Sequence, residues 1–186
     1  MKVLAISGSL RAGSYNTALA RAAADLAPGG VEIEVYDGLG LLPHYNEDLD
    51  QEGVDTPAPV TELRRRIDEA DALLVVTPEY NGSTTGVLKN AVDWVSARHR
   101  GSWLRNKTVA VAGATTGEYG AIWAQQDLRR ILGIAGARVV ADDFPLPRAY
   151  EAFDESGKLA SPLVADRLRT HLATLVHEAA PLTIAA

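Results

Sequence analysis

Short apolar blocks alternate along the chain with longer stretches in which apolar positions recur every three or four residues. Five of the blocks have the length of a β-strand: 3–7, 31–36, 72–77, 107–113 and 138–142. The blocks at 3–7 and 72–77 are almost continuously apolar, as expected of parallel strands that are covered on both faces. The block at 31–36 alternates apolar with acidic residues, which favours a strand nearer an edge of the sheet.

The longer stretches have the period of amphipathic helices, and several end at glycine or proline. They predict helices at about 16–27, 59–70, 86–98, 120–135 and 161–178. Residues 37–58 and 143–160 are rich in Pro, Asp and Glu, and we predict that they are surface loops. Strand and helix alternate throughout, which predicts a three-layer α/β sandwich with a parallel sheet and right-handed crossovers. We find no internal repeat or linker and expect residues 1–186 to form a single domain.

Five parallel strands favour the flavodoxin-like order 2-1-3-4-5 over the longer dinucleotide-binding arrangement. In that order the first and third strands are neighbours, and the chain leaves their carboxyl ends toward opposite faces of the sheet. Ligands bind in the crevice that this reversal opens. Three loops are expected at this edge: GSLRAGSYN (8–16), PEYNGSTTG (78–86) and GATTGEYG (113–120).

Composition narrows the class of protein. The chain has 186 residues, of which 47% are hydrophobic, enough for one buried core. It contains no cysteine, which excludes disulfides, thiolate catalysis and iron–sulfur clusters and fits a reducing compartment. The apolar stretch after Met1-Lys2 is too short for a signal peptide, and no run reaches the length of a membrane span, so we expect a cytoplasmic protein.

Charge argues against some partners. The net charge is −6 and the basic residues form no long stripe, so we do not expect a nucleic-acid partner. The densest basic run, Arg64-Arg65-Arg66, lies among acidic residues, and we predict that it is the solvated face of a helix. The four histidines share no helix face at metal-ligand spacing, and we expect no metal site.

The first loop carries the groups of an anion site. Two glycines permit a tight turn, two serines offer hydroxyls and an arginine adds a charged donor: Gly8, Gly13, Ser9, Ser14 and Arg11. The helix that begins near Asn16 presents free N–H groups and the positive end of its dipole. The spacing fits neither a Walker A loop nor the three-glycine dinucleotide fingerprint. The alternative is a polar connection with a serine N-cap, but a cap requires only one hydroxyl.

The second loop suits a flat ring rather than a phosphate. Residues 79–82 supply backbone N–H groups, an aromatic face and an amide, and Gly82 would let a heterocycle approach the backbone. A phosphate site at one strand end and a planar-ring site at the next fit a mononucleotide such as FMN. Glu79 taken alone is more often a structural carboxylate than a catalytic acid.

GSLRAGSYN together with TPEYNGSTTGVLKNAVDW (77–94) resembles the NADPH-dependent FMN reductase family, which includes quinone, chromate and azo-dye reductases. The resemblance implies that the FMN phosphate is held by Ser9, Arg11, Ser14 and Asn16, and Tyr15 of the same motif is also expected to bind the cofactor. It implies that the flavin ring is bordered by Pro78, Glu79, Tyr80, Asn81 and Gly82, and by Thr115, Thr116, Gly117 and Gly120 of the third loop. Two segments depart from the family pattern: Glu118-Tyr119 makes the third loop bulkier, and STTG (83–86) lacks a common proline.

The resemblance also implies a mechanism and partners. NAD(P)H, either NADPH or NADH, would pass hydride to FMN, and a quinone, flavin, azo or similar acceptor would take the electrons from the same face in a second half-reaction. FMN carries this chemistry, so no catalytic side chain is expected. The resemblance and a wide apolar arc on the helix at 86–98 favour a homodimer or homotetramer.

Two questions stay open at this stage. The alternative to an enzyme is a non-enzymatic electron carrier or flavin-binding module, in which aromatic side chains such as Tyr80 and Tyr119 would wrap the ring. Arg98, His99 and Arg100 either reach a nicotinamide phosphate or form an exposed helix end.

Overall fold

The computed structural model describes residues 1–96 and 101–180 and confirms the predicted alternation of strands and helices. The strands are β1 (Lys2–Ser7), β2 (Glu32–Tyr36), β3 (Ala72–Val76), β4 (Thr108–Ala114) and β5 (Arg138–Leu146). The helices are α1 (Tyr15–Asp25), α2 (Ala58–Glu69), α3 (Gly86–Val95), α4 (Ile122–Ile134) and α5 (Pro162–Ala179). The strands form one parallel sheet in the order β2-β1-β3-β4-β5, as predicted. In the described part of the chain, no helix is both long and apolar enough to cross a membrane.

The sheet is covered on both faces, which explains its apolar strands. Alternate side chains of a strand point to opposite faces. Ala5 and Leu74 pack with α1 and α5, whereas Leu4, Leu73 and Val75 pack with α2, α3 and α4. Because helices cover both faces of the sheet, the strands do not need polar residues at alternate positions. The connection from β1 therefore runs to one face, and the connection from β3 runs to the other.

Strand β5 continues further than predicted. The sequence placed its end at residue 142, but the strand runs to Leu146 through a bulge. Val109 pairs with Val139 and Val111 with Asp143, so the three residues 140–142 of β5 lie opposite the single residue Ala110 of β4. The bulge breaks the period-two pattern, which hid the buried Phe144 and Leu146 from sequence analysis. Pro145 is tolerated because β5 is an edge strand.

The two segments that we predicted to be surface loops are partly buried. The segment at 37–58 contains short 3₁₀ turns, and its Asp50 is completely buried. The segment at 147–160 buries Ala149, Ala152 and Phe153, and the Phe153 ring stacks on Tyr15 at 5.8 Å between centroids. Each segment therefore adds to the core as well as connecting two elements.

The prediction that Arg64, Arg65 and Arg66 share a solvated face is wrong for Arg64. Arg64 is 5% exposed, and its Nη2 donates to both carboxylate oxygens of Asp50 at 2.8 Å. Its guanidinium also donates to the Trp94 carbonyl and lies 4.3 Å from the centre of the Trp103 ring. Arg65 and Arg66 do lie at the surface and pair with glutamates. Arg64 thus joins the 37–58 segment to α2 and α3.

The apolar arc of α3 is also explained within one chain. Leu88, Ala91, Val92, Trp94 and Val95 are all buried, and Val87 packs against the same core. The Trp94 Nε1–H donates to the Pro43 carbonyl at 2.8 Å, which holds the 37–58 segment over the helix. The width of the arc therefore gives no independent argument for a second subunit.

Replacing Arg64 by methionine should lower the free energy of unfolding by about 3–5 kcal/mol, because the Asp50 carboxylate would stay buried without its cation. Arg65→Met is the matched control on the same helix, and its exposed ion pairs should contribute far less. Urea denaturation followed by circular dichroism measures both variants. Equal losses in the two variants would contradict the assignment of Arg64 to the buried network.

Candidate functional site

The three predicted loops begin at the same level of the sheet, at the carboxyl ends of β1, β3 and β4. Ser7 is paired with Val76, and Val76 is paired with Ala112. The Gly8 N–H donates to the Val76 carbonyl at 2.8 Å, and the Thr77 N–H donates to Ala112 at 2.8 Å. The chain then turns toward α1 after β1 and toward α3 after β3. A crevice at the strand ends is expected where the direction of the chain reverses in this way.

Gly8 brings the first loop directly against α3. A Cβ atom at this position would lie 2.3 Å from Leu88 Cδ1 and 3.0 Å from Thr85 Oγ1. The Thr85 hydroxyl donates to the Gly8 carbonyl at 2.9 Å, so the start of α3 and the first loop are also joined by a buried hydrogen bond. Glycine is needed here because of this close approach rather than because of its backbone angles.

Ser14 and Asn16 of the predicted phosphate loop have partners within the chain. Ser14 is the N-cap of α1, and its Oγ accepts hydrogen bonds from the Asn16 and Thr17 amides. The buried Asn16 side chain donates through Nδ2 to the Ala114 carbonyl and accepts through Oδ1 from the Ala114 amide, both at 2.9 Å. Asn16 thereby fixes the start of α1 to the end of β4.

Ser9 and Arg11 are more open. Ser9 is half-buried, and its hydroxyl accepts from the Arg11 amide at 3.4 Å. Arg11 is exposed and forms no ion pair with any described residue, and its Nη1 lies 3.6 Å from the position of a Cβ on Gly13. No backbone acceptor in the described chain receives the amides of residues 10, 12, 13 and 15. The loop therefore offers a cation and several amides to an anion at the N-terminus of α1.

Tyr15, also predicted to bind the cofactor, has its ring against the core. The ring stacks on Phe153 with an angle of 29° between the planes and packs against the core on the α1 face. Its contribution to an anion site would come from its backbone amide, since this residue is the first of α1.

The second loop forms a tight two-residue turn. Tyr80 and Ser83 exchange backbone hydrogen bonds of 3.1 and 3.2 Å. Asn81 and Gly82 between them have φ angles of 54° and 74°, which are the left-handed values of a type I′ turn. Pro78 before the turn is buried, whereas Tyr80, Asn81 and Gly82 are exposed. The predicted ring site is thus a small hairpin that projects from the sheet edge.

Glu79 holds this hairpin against α4. Its Oε2 accepts from the Ala124 amide at 3.1 Å in the first turn of the helix. The N-cap residue of α4 is Ala121, which has no side chain able to accept, so Glu79 supplies the missing capping group. This position matches the structural interpretation of Glu79 rather than that of a catalytic acid.

The third loop is anchored to the segment after β5. The Thr115 amide donates to Leu146, and the Ala149 amide donates back to Thr115 at 2.9 Å. Gly120 has a φ of 60°, and a Cβ there would lie 2.6 Å from the Leu146 backbone nitrogen, so this glycine serves packing. Thr116 and Gly117 are exposed. The bulky Tyr119 rests on Trp123, with ring centroids 4.7 Å apart.

Four residues that sequence analysis did not select as site residues hold the loops together. The buried Gln125 donates to the Gly120 carbonyl at 2.9 Å and accepts from the Phe144 amide at 3.0 Å. Ser83 donates to Asp127 Oδ2 at 2.5 Å, and Thr85 holds Gly8 as described above. A single glutamine or aspartate in an amphipathic helix gives no sequence signal of such a role. They become recognisable only when the loops meet in space.

The histidines were also considered as ligands, and one of them, His171, lies in the core. His171 is buried with Nδ1 3.5 Å from Asp142 Oδ2, and burial lowers its pKa. Among the described residues, no group of three or more His, Asp or Glu could hold a metal ion. Arg98, His99 and Arg100, considered above for the nicotinamide phosphate, lie outside the described residues.

Comparison with known proteins identifies related sequences over most of the chain. The sequence model of the family described as NADPH-dependent FMN reductase matches residues 1–151. An NAD(P)H-dependent FMN reductase of Pseudomonas aeruginosa is 42% identical over 182 residues, covering 94% of this chain and 93% of that protein. A 2-hydroxy-1,4-benzoquinone reductase of Burkholderia sp. is 36% identical over 177 residues, with coverage of 95% and 92%.

Solved structures agree with this similarity. The flavoenzyme NAD(P)H:(acceptor) oxidoreductase FerB from Paracoccus denitrificans superposes with a TM-score of 0.86 at 32% identity and covers 96% of each chain. An apo NADH:FMN oxidoreductase has a TM-score of 0.64 at 23% identity, covering 96% of this chain and 88% of that one, which supports the fold alone.

Proposed function

Because the chain belongs to the NADPH-dependent FMN reductase family, we propose that it takes hydride from NAD(P)H onto bound FMN and passes it to a second acceptor in a separate half-reaction. The observation that carries this proposal is the composition of the sheet edge. An exposed arginine and free amides at the start of α1 lie at one pole, and a glycine-containing hairpin lies at the other. FMN has a phosphate and a planar ring to match these two poles.

The first pole fits a phosphate on the chemistry of its donors. Arg11 supplies a charge that no described carboxylate neutralises, Ser9 adds a hydroxyl, and the unpaired amides near Tyr15 point from a helix N-terminus. Ser14 and Asn16 would act behind this group: they fix the helix start through hydrogen bonds inside the chain. The proposed phosphate site therefore includes all five predicted residues. Some of them would donate hydrogen bonds to the phosphate, and the others would support the backbone of the loop.

The second pole would hold the flavin ring. Residues 78–82 provide a rigid backbone edge, and the amides of Asn81 and Gly82 have no acceptor in the described part of the chain. The exposed Thr116 and Gly117 amides offer further donors from the loop after β4. When bound, FMN supplies the hydride chemistry, and the protein sets its orientation and electronic environment. Gly82, which has no side chain, and the small Ser83 would leave room for a substrate beside a bound ring.

The acceptor that we propose is a quinone or a similar planar aromatic molecule. Two related proteins are named for quinones: the 2-hydroxy-1,4-benzoquinone reductase and, at 38% identity over 140 residues, the quinone reductase of Escherichia coli. A planar acceptor could use the same open face as the nicotinamide, which is why we propose two alternating half-reactions rather than a ternary complex. Flavins and azo dyes are also planar conjugated molecules, and we include them among the proposed acceptors.

Anaerobic titration tests the enzymatic activity directly. The purified protein, reconstituted with FMN, should lose its visible flavin absorbance when NADPH or NADH is added, and addition of a quinone should restore it. Parallel initial-rate lines over varied NADPH and quinone concentrations would support the two half-reactions. Flavin absorbance that neither nucleotide bleaches would instead support a non-enzymatic carrier.

Replacing Arg11 by glutamine should raise the dissociation constant for FMN about tenfold or more, because a hydrogen bond to a charged group is lost. Hydride transfer in the flavin-saturated variant should change little, since Arg11 would contact the phosphate and not the ring. Quenching of FMN fluorescence measures the affinity. The control is Arg21→Gln, which removes the same charge from an exposed position on α1. Equal weakening in both variants would show a general charge effect rather than a contact.

Association of chains is proposed from the family resemblance alone, because α3 buries its apolar arc internally. We expect a dimer or tetramer in size-exclusion chromatography with light scattering. A species of only 19.8 kDa at micromolar concentration would remove this expectation.

A further inference from the structure

The exposed hairpin at 79–83 depends on other parts of the chain for its rigidity. A two-residue hairpin is at best marginally stable in water on its own. Asn81 and Gly82 both have positive φ angles and expose their backbone to solvent. The hairpin also packs no large side chain into either core, since Tyr80 is 59% exposed. Its conformation must therefore be maintained by directed contacts at its two strands.

Two carboxylates of different elements make these contacts. On the first strand, Glu79 Oε2 accepts from the Ala124 amide at 3.1 Å. On the second strand, the Ser83 hydroxyl donates to Asp127 Oδ2 at 2.5 Å. Ala124 and Asp127 both lie in the first two turns of α4, so both sides of the hairpin are fixed to the N-terminal half of the same helix.

Asp127 is well suited to hold its strand. Its other oxygen accepts from Arg130 at 2.9 Å, and its side chain is 26% exposed. The hydrogen bonds from Ser83, Arg130 and the Thr84 backbone lower the pKa of the Asp127 carboxyl, which is therefore ionised at neutral pH. A charged acceptor makes the bond to Ser83 stronger than a bond between neutral groups.

We propose that Asp127 is a positioning residue which, through Ser83, holds the Asn81–Gly82 turn in the conformation that receives the flavin ring. The proposal rests on the proposed function, because it assigns the turn to FMN. Asp127 does not touch the ring in this assignment: it acts on the backbone that does. Loss of the Ser83 contact would let the turn sample other conformations, and each FMN molecule would then have to order it on binding.

The test compares Ser83→Ala, Asp127→Asn and the double variant, each titrated with FMN. We expect about a tenfold increase in the FMN dissociation constant for Ser83→Ala. The increase should be smaller for Asp127→Asn, because the asparagine oxygen still accepts from Ser83 but carries no charge. The double variant should be no weaker than the worse single variant, because both changes act on the same contact. Ser83→Thr keeps the hydroxyl and should restore most of the affinity. Visible circular dichroism of the bound flavin should change in the weakened variants and recover with threonine.

Asp166→Asn is the matched control, since Asp166 also pairs with an arginine three residues later on an exposed helix face. It should leave FMN affinity and flavin dichroism unchanged. A lowered melting temperature in Ser83→Ala and Asp127→Asn with unchanged affinity and dichroism would overturn the positioning role and leave a purely structural one. Additive losses in the double variant would also overturn it. If the wild-type chain takes up no FMN, the proposed function itself fails, and the positioning role fails with it.

Discussion

The location of the candidate site depends on the directions in which the chain leaves two neighbouring strands. β1 and β3 lie side by side in a parallel sheet, yet the chain after β1 must reach α1 on one face and the chain after β3 must reach α3 on the other. Neither helix can then cover the sheet edge between these strands. The loops themselves must form the walls of the crevice, and they must do so with exposed backbone.

Such walls cannot be held by apolar packing alone. A polar loop next to the sheet brings amides and carbonyls into regions with little water, and each buried polar group needs a partner. The chain provides these partners with side chains near the loops: Asn16 binds the Ala114 backbone, Thr85 binds Gly8, and Gln125 joins Gly120 to Phe144. Asn16 and Thr85 join the first loop to the end of β4 and to the start of α3, and Gln125 joins the third loop to β5. The three walls are therefore one hydrogen-bonded unit rather than three independent loops.

The fold and the meeting of three polar loops at one sheet edge could be predicted because they follow from patterns that act over short distances. Strand length, apolar continuity and loop composition depend on neighbouring residues. The bulge in β5 could not be seen, since it breaks the period from which a strand is recognised. Arg64 was missed for another reason. It continues the buried stripe of Val60, Leu63 and Ile67, and helical spacing alone indicated an inward position. The two exposed arginines beside it concealed that signal. Its partner Asp50 lies in the 37–58 segment, where no repeating pattern of apolar residues indicates which side chains are buried.

Sequence also could not assign roles within the first loop (8–16). Its composition does not distinguish residues that could donate hydrogen bonds to a ligand from residues that support the backbone. Asn16 and Arg11 are both polar and five positions apart, but Asn16 satisfies the Ala114 backbone while Arg11 has no carboxylate partner in the described chain. The difference has a physical consequence. Residues that already form bonds within the chain order the loop before a ligand arrives, so the entropy of ordering is met by folding. The unpaired residues can then contribute their contacts to binding without that cost. In the proposed FMN site, a motif rich in small polar residues would thus do two tasks: it would support its own backbone and contact the phosphate.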